Sequence, residues 1–322
     1  MTNSPSLIAD IGGTNARFAL QTSAGKIEAI TVLNCAEFPT ISNAIESYIT
    51  SPHVLSLGSV KIRKAGIAIA NPINGDIVKM TNHHWEFSIK SVQNEFDLNT
   101  LMVVNDFKAL AMALPSLSNS QKKQVGQGNV KNHAPIGLVG AGTGLGVSGL
   151  IPTGRGWHAL ESEGGHASFA PNSQLEIEIL KFVFDQFGHV SSERFLSGAG
   201  LKLIYTALAA VKGLVVADIN IPEIMRRGLE MECQICNETL SIFCEMLGTI
   251  ASDLAITLGA QGGVYIGGGI VPRMGQFFYE SGFRQRFEKK GRLSDYLVDV
   301  PTFVITEPYP AFLGMSALMA DV

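Results

Sequence analysis

Two rhythms of apolar positions run along the chain. Leu7, Ile8 and Ala9 form a short continuous apolar run that ends on Asp10, and residues 16–20 (A-R-F-A-L) are apolar except for Arg17. Both segments predict strands, joined through Gly12-Gly13-Thr14. Residues 27–33 predict a third strand and 40–49 a helix. The run 65–70 predicts a buried strand that Asn71-Pro72 stops. Residues 101–104 predict another, too short and too apolar for an exposed helix, running through Asn105-Asp106 into a helical segment that Pro115 terminates.

Residues 116–133 are polar and predict a surface connection. The opening pattern then starts again, with a strand at 136–139, a glycine turn at 140–146 and a strand at 147–151. A chain that twice builds strand, glycine turn and strand predicts two related α/β lobes facing each other. Beyond this the pattern turns helical. Residues 173–187, 199–211 and 237–258 carry apolar positions at helical spacing, most regularly in the last, where Leu240, Phe243, Cys244, Leu247, Ile250, Ala251, Leu254 and Leu258 form one stripe. Residues 263–269 predict a short strand ending in three glycines, followed by a helix near Pro272. A last strand at 302–305 precedes a C-terminal helix from about Ala311. The expected division is 1–110 plus 301–322 for a small lobe and 111–300 for a large one with helical insertions.

With 322 residues, 46% of them hydrophobic and 16% charged, the chain has length for two lobes and apolar content for large cores. Net charge is −4, and the short groups Lys61/Arg63/Lys64 and Lys289/Lys290/Arg292 read as solvated surface, so no nucleic-acid partner is expected. No apolar run reaches the length of a membrane span, and the start M-T-N-S-P-S-L-I-A-D has no signal-peptide pattern. The four cysteines are Cys35, Cys233, Cys236 and Cys244. Cys233-x-x-Cys236 has metal or redox spacing but no second pair, and Cys236 and Cys244 share a helical face, which favours buried thiols. A cytoplasmic location is expected.

Neither a G-x-x-x-x-G-K-S/T loop nor a G-x-G-x-x-G turn opening a helix is present; Gly142, Gly144 and Gly146 lead into a strand. Successive backbone N–H groups at such a turn still form an anion cradle, to which Thr14 and Thr143 can add hydroxyls. Asp10 beside such a loop is unfavourable unless a cation intervenes, which points to Mg²⁺. The alternative is a hairpin whose glycines serve the turn alone, with Asp10 bonding local N–H groups. Two such loops together with Gly267-Gly268-Gly269 before a helix favour the nucleotide reading.

D-I-G-G-T-N at 10–15, G-A-G-T-G-L-G at 140–146 and G-G-G-I-V-P-R at 267–273 resemble the phosphate-1, phosphate-2 and adenosine motifs of the actin-like sugar kinase superfamily. The resemblance implies two ribonuclease-H-like (actin-like ATPase) lobes with ATP in a cleft between them. Ala9, Asp10, Ile11, Gly12, Gly13 and Thr14 would lie at the nucleotide, with Asp10 near Mg²⁺ and bound to it through water. Gly142, Thr143, Gly144 and Gly146 would surround the phosphates, and Gly268 and Gly269 would lie beside the nucleoside.

On local grounds Asn105-Asp106, at a strand-to-helix junction, is either a helix cap or a sugar-binding pair. Glu193 is either the third residue of a capping box or a ligand-binding acid. Glu163 and His166, around two glycines, suit hydrogen bonds to vicinal hydroxyls better than a metal. The strings A-N-P-I-N-G-D, M-T-N-H-H-W, V-N-D-F-K-A, S-E-G-G-H-A-S-F-A-P and H-V-S-S-E-R-F-L-S-G, with S-G-F-R and D-V-P near the end, closely resemble bacterial glucokinases in order and over almost the whole chain. The resemblance implies ATP-dependent phosphorylation of glucose at its 6-hydroxyl, as the entry step of glycolysis. Glucose would be held by Asn105, Asp106, Glu163, His166 and Glu193, with Asp106 as the base, and the protein would be a homodimer. Ala9 and Ser162 stand where the family often has glycine.

The related repressor and open-reading-frame kinases (ROK) carry a cysteine-rich zinc string after the shared E-x-G-H feature. Here A-S-F-A-P follows His166, so zinc is not expected. Rival readings are a kinase for mannose or an N-acetylated hexose, an actin-like ATPase without sugar specificity, and a sugar-sensing regulator without catalysis.

Overall fold

The computed structural model describes residues 4–22, 26–58, 61–154 and 156–320, and the chain divides into two compact units. The first comprises Met1–Leu117 and Pro308–Val322, the second Ser118–Glu307.

In the first unit β1 (Ser6–Ile11), β2 (Asn15–Gln21) and β3 (Ile27–Asn34) form an antiparallel meander. β4 (Lys64–Ile69) adds parallel to β1, and β5 (Ile77–Lys79) and β6 (Glu86–Ser88) form a separate ribbon. β7 (Thr100–Asn105) completes the main sheet, in the order β3-β2-β1-β4-β7. Alternation along β1 divides its side chains between two cores. Leu7, Ala9 and Ile11 pack with Ile41, Ile45, Tyr48 and Val92. Ile8 packs on the other face with Ala68, Val104, Ala109, Phe312 and Met315, under the helices Asp106–Ala113 and Pro310–Ala320. Coverage on both faces explains why these strands are apolar throughout rather than alternating.

The second unit contains β8 (Lys122–Val125), β9 (Ile136–Ala141), β10 (Leu145–Thr153), β11 (Gly156–Leu160), β12 (Val264–Gly267) and β13 (Thr302–Ile305), in the order β11-β10-β9-β12-β13-β8. Its antiparallel β9-β10-β11 meander followed by parallel β12 and β13 repeats the topology of β1-β2-β3, β4 and β7. The two-fold pattern in the sequence is thus a repeated sheet.

Three expectations change. The polar stretch 116–133 contains β8, an edge strand whose lysines suit a sheet margin. The expected break at 300/301 falls after Glu307, because β13 hydrogen-bonds into the second sheet between β12 and β8. The first unit runs on to Leu117 rather than stopping at 110. The helices Ile89–Glu95 and Ile221–Leu229 and the strand β11 are elements that the sequence reading did not predict, although Ile221, Ile224, Met225 and Leu229 stand at helical spacing.

The longest helix, Gln234–Leu258, starts three residues before the predicted segment 237–258. It is long and apolar enough to cross a membrane, yet 67% of its most apolar window is buried against neighbouring helices, so it is a core helix of this unit. Cys236 and Cys244 are buried on it, and burial pushes both thiols up to about 12. The S-G-F-R and D-V-P strings prove to be one clamp. Arg284, 9% exposed, donates to the carbonyls of Val298 (2.9 Å) and Val300 (2.8 Å) and to Thr302 Oγ1 (3.2 Å). This clamp fixes the turn that leads into β13.

Candidate active site

In the first unit the carboxyl ends of the parallel strands lie level. Ile11 pairs with Ile69, and Ile69 with Asn105. The glycine turn after β1, Asn71 after β4 and Asn105-Asp106 at the end of β7 therefore share one sheet edge, where open α/β sheets bind ligands. Asp10 faces Arg17 across the hairpin, and Arg17 Nη1 donates to Asp10 Oδ2 at 2.9 Å. The Asp10 side chain is 21% exposed. Burial pushes its carboxyl above the usual range, and the Arg17 guanidinium opposes that rise.

The turn itself is held from behind. Gly12 N–H donates to the Asn15 carbonyl at 2.9 Å, Cys35 N–H to the Thr14 carbonyl at 2.9 Å, and Cys35 Sγ to the Gly12 carbonyl at 3.4 Å. Asn82 covers Gly13 so closely that an added Cβ would sit 3.0 Å from the Asn82 carbonyl oxygen. Thr14 stays exposed at the tip.

Asn105 does cap its helix. Its Oδ1 accepts from the N–H groups of Phe107 (2.9 Å) and Lys108 (3.3 Å). The helix Asp106–Ala113 thus starts at Asp106, whose Oδ1 also accepts from Phe107 N–H at 2.9 Å. Capping consumes the Asn105 carbonyl and leaves its amide NH₂, 3.5 Å from the Asn71 carbonyl, as a donor along the same edge. Asn71 in turn accepts Thr81 N–H at 3.1 Å, which joins the A-N-P-I-N-G-D and M-T-N-H-H-W segments. Trp85 Nε1 donates to the Phe38 carbonyl at 2.9 Å and anchors the second segment.

In the second unit the turn proper is Gly142–Gly144, since Gly140 and Gly146 are paired in β9 and β10. Gly142 N–H donates to the Gly144 carbonyl at 2.8 Å, and the Gly142 carbonyl accepts Gly198 N–H at 2.9 Å from the start of the helix Gly198–Val211. Thr143 is exposed at the tip, as Thr14 is in the first unit. Gly268, at φ +79°, lies against the Ala141 backbone, where a Cβ would collide, and Gly269 precedes the helix Ile270–Met274.

Glu163, His166 and Glu193 come together. His166 Nε2 lies 3.9 Å from Glu163 Oε2, and His166 Nδ1 lies 3.9 Å from Glu193 Oε1. The capping-box alternative for Glu193 fails. Ser191 caps the short helix Ser192–Phe195 without a side-chain bond, and Glu193 Oε2 instead accepts Leu145 N–H at 2.9 Å. Ser192 N–H donates to the Ala167 carbonyl at 2.9 Å, which holds the two segments side by side. Two carboxylates flanking an imidazole offer several acceptors and a donor to a polyhydroxylated ligand. Among the described residues no three His, Cys, Asp or Glu side chains gather as a metal-holding group.

Sequence reading overlooked Arg17, Cys35, Asn71 and Asn82. Arg17 had a signal, because counting outward from the glycine turn places it opposite Asp10, and Asn71 and Asn82 lie within the A-N-P-I-N-G-D and M-T-N-H-H-W strings.

The repeated sheet with a glycine turn after the first strand of each copy defines an actin-like sugar kinase fold. A solved glucokinase from an Antarctic psychrotroph superposes with a TM-score of 0.89 at 37% identity, covering 99% of both chains. A ROK glucokinase from Streptomyces griseus, solved with glucose and AMPPNP, shares the fold at a TM-score of 0.64 and 17% identity, covering 98% of both chains. The glucokinase family model matches residues 7–322, and the Chromobacterium violaceum glucokinase is 50% identical over 98% of this chain and 90% of its own length. The chain belongs to the glucokinase family. It is also 50% identical to a bifunctional protein of Paraburkholderia xenovorans, matching over 98% of this chain but only 49% of that longer protein.

Proposed function

We propose that this member of the glucokinase family transfers the γ-phosphoryl group of MgATP directly to the 6-hydroxyl of D-glucose, with Asp106 as general base. The observation that carries this reading is the level register of Ile11, Ile69 and Asn105. It sets the carboxylates of Asp10 and Asp106 on one sheet edge, one beside a phosphate-type turn and one at a helix start. Phosphoryl transfer needs positioning, charge neutralisation and one carboxylate to accept the hydroxyl proton.

Asn105, its carbonyl committed to the helix, would donate its amide to an adjacent sugar hydroxyl. Glu163, His166 and Glu193 would hold further hydroxyls. Gly12–Thr14 and Gly142–Gly146 would surround the phosphates, with the backbone N–H groups of Gly13, Thr14, Thr143 and Gly144 and the Thr14 and Thr143 hydroxyls as donors, and Gly268-Gly269 would border the nucleoside. Asp10 fits a hard cation. Arg17 engages Oδ2, which leaves Oδ1 for Mg²⁺ or a water bound to it, and a positive charge there would hold the carboxyl ionised against its burial. When bound, Mg²⁺ supplies charge neutralisation on the phosphate oxygens. Homodimerisation, a cytoplasmic location and a role at the entry of glycolysis complete the proposal.

The test is a coupled assay with MgATP across glucose, mannose and N-acetylglucosamine. Glucose is expected to give the highest kcat/KM, with ATP turnover near background when no sugar is present. Preference for another hexose would replace glucose as the substrate, and sugar-independent ATP turnover would overturn the kinase reading.

A further inference from the structure

The peptide of Leu145 lies where the second unit's two sets of candidate residues meet. Its N–H, at the end of the Gly142–Gly144 turn, donates to Glu193 Oε2 at 2.9 Å. Its carbonyl abuts Gly165 of the E-G-G-H segment, where an added Cβ would run into the Leu145 oxygen. The Glu193 carboxylate likewise fills the space that a Cβ on Gly144 would take. Glu193 Oε1 is turned to His166 Nδ1 at 3.9 Å. One carboxylate therefore has an oxygen on the phosphate-type turn and an oxygen among the sugar candidates.

We propose that Glu193 is a positioning residue for the nucleotide as well as a sugar contact: through Leu145 N–H it sets the conformation of the Gly142–Gly144 turn, so that sugar and nucleotide binding are coupled across this peptide. The proposal rests on the glucokinase reading of the site. Gly144 and Gly165 are glycine for the same reason, namely that a side chain at either would push the carboxylate or the E-G-G-H segment off Leu145. Coupling of this kind is reciprocal. Whatever factor the sugar adds to nucleotide affinity, the nucleotide adds to sugar affinity.

The experiment is isothermal titration of the full chain with Mg²⁺ and AMPPNP in the absence of sugar, for the wild type and for Glu193→Ala, Glu193→Gln and Gly144→Ala. A carboxylate–N–H bond is charge-assisted, so its loss in Glu193→Ala is expected to weaken AMPPNP by about tenfold. Glu193→Gln keeps an oxygen for Leu145 N–H and is expected to return to within about threefold of wild type. Gly144→Ala, whose Cβ displaces the Glu193 carboxylate from Leu145 while every proposed sugar-binding side chain is retained, is expected to weaken AMPPNP as Glu193→Ala does. A merely structural role would move the melting temperature without this Ala/Gln split. Unchanged AMPPNP affinity in Glu193→Ala and Gly144→Ala, with lost glucose affinity in the first, would overturn the proposal and leave Glu193 a sugar contact alone. A wild type that binds AMPPNP but no glucose would overturn the functional reading instead, since the nucleotide series contains no sugar.

Discussion

The two glycine turns occupy the same place in two copies of one sheet, yet they are built for different tasks. The first follows a strand whose penultimate residue is a carboxylate, and that carboxylate has an arginine directly across the hairpin. The second follows β9, which is buried along its length and has no charge near its end. The carboxylate bonded at its end, Glu193, arrives from 48 residues further along the chain. The first turn carries charge of its own and suits a cation. The second offers backbone N–H groups whose geometry is set by tightly packed neighbours, namely Gly165, Glu193, Gly198 and Gly268. A repeated fold thus repeats the placement of a ligand loop, while its chemistry is decided by what is packed behind it.

The largest expected effect tests whether acid–base chemistry belongs to the first unit. Asp106→Ala is expected to lower kcat by about 10²–10⁴ with the protein still folded. Near-normal turnover would move the base elsewhere and erase the contrast. On the second turn, Gly165→Ala forces a Cβ into the Leu145 carbonyl. About 1–3 kcal/mol of lost stability is expected, together with weaker AMPPNP binding, measured by thermal melts and titration. A variant with wild-type stability and affinity would show that the packing behind this turn is loose.

The charge on the first turn can be tested through stability. The Asp10 carboxyl is raised mainly by burial, so folding disfavours its ionised form. The stability this group contributes is fully present below its unfolded pKa and is lost as pH rises through the folded one. At neutral pH Asp10→Asn removes that cost, so its melting temperature should rise, by about 2–4 °C for each kcal/mol released. Catalysis with Mg²⁺ should fall in the same variant. A lower melting temperature would mean that the Arg17 pair outweighs burial. The smallest effect is expected for Cys35→Ala, which removes the Sγ contact to the Gly12 carbonyl and should cost about 1 kcal/mol in a denaturant titration. A much larger loss would show the first turn to be as tightly backed as the second.

Much of this was legible in the chain. Short apolar runs closed by glycine, by Asn71-Pro72 or by Asn105-Asp106 give β1, β4, β7, β9 and β12, because strands buried on both faces need continuous apolar sequence and sharp exits. The repeat itself was visible as a recurring string. Asn105-Asp106 and the E-G-G-H segment were also singled out, although local spacing left Asn105 open between a cap and a ligand contact. The structure has its carbonyl serve the helix and leaves its amide as a donor, so the two readings divide one side chain.

Sequence by itself determined the central strands and the main helices, the repeat and the chemical types available at each turn, since those depend on local propensity, periodicity and backbone freedom. Only the tertiary structure decided that β13 pairs into the second sheet, that Arg284 ties S-G-F-R to D-V-P, and that Glu193 reaches Leu145 rather than its own helix start. Each of these is a contact between segments more than ten residues apart. Its free energy comes from burial and hydrogen bonds that exist only once distant strands and helices have packed, so no local pattern encodes it.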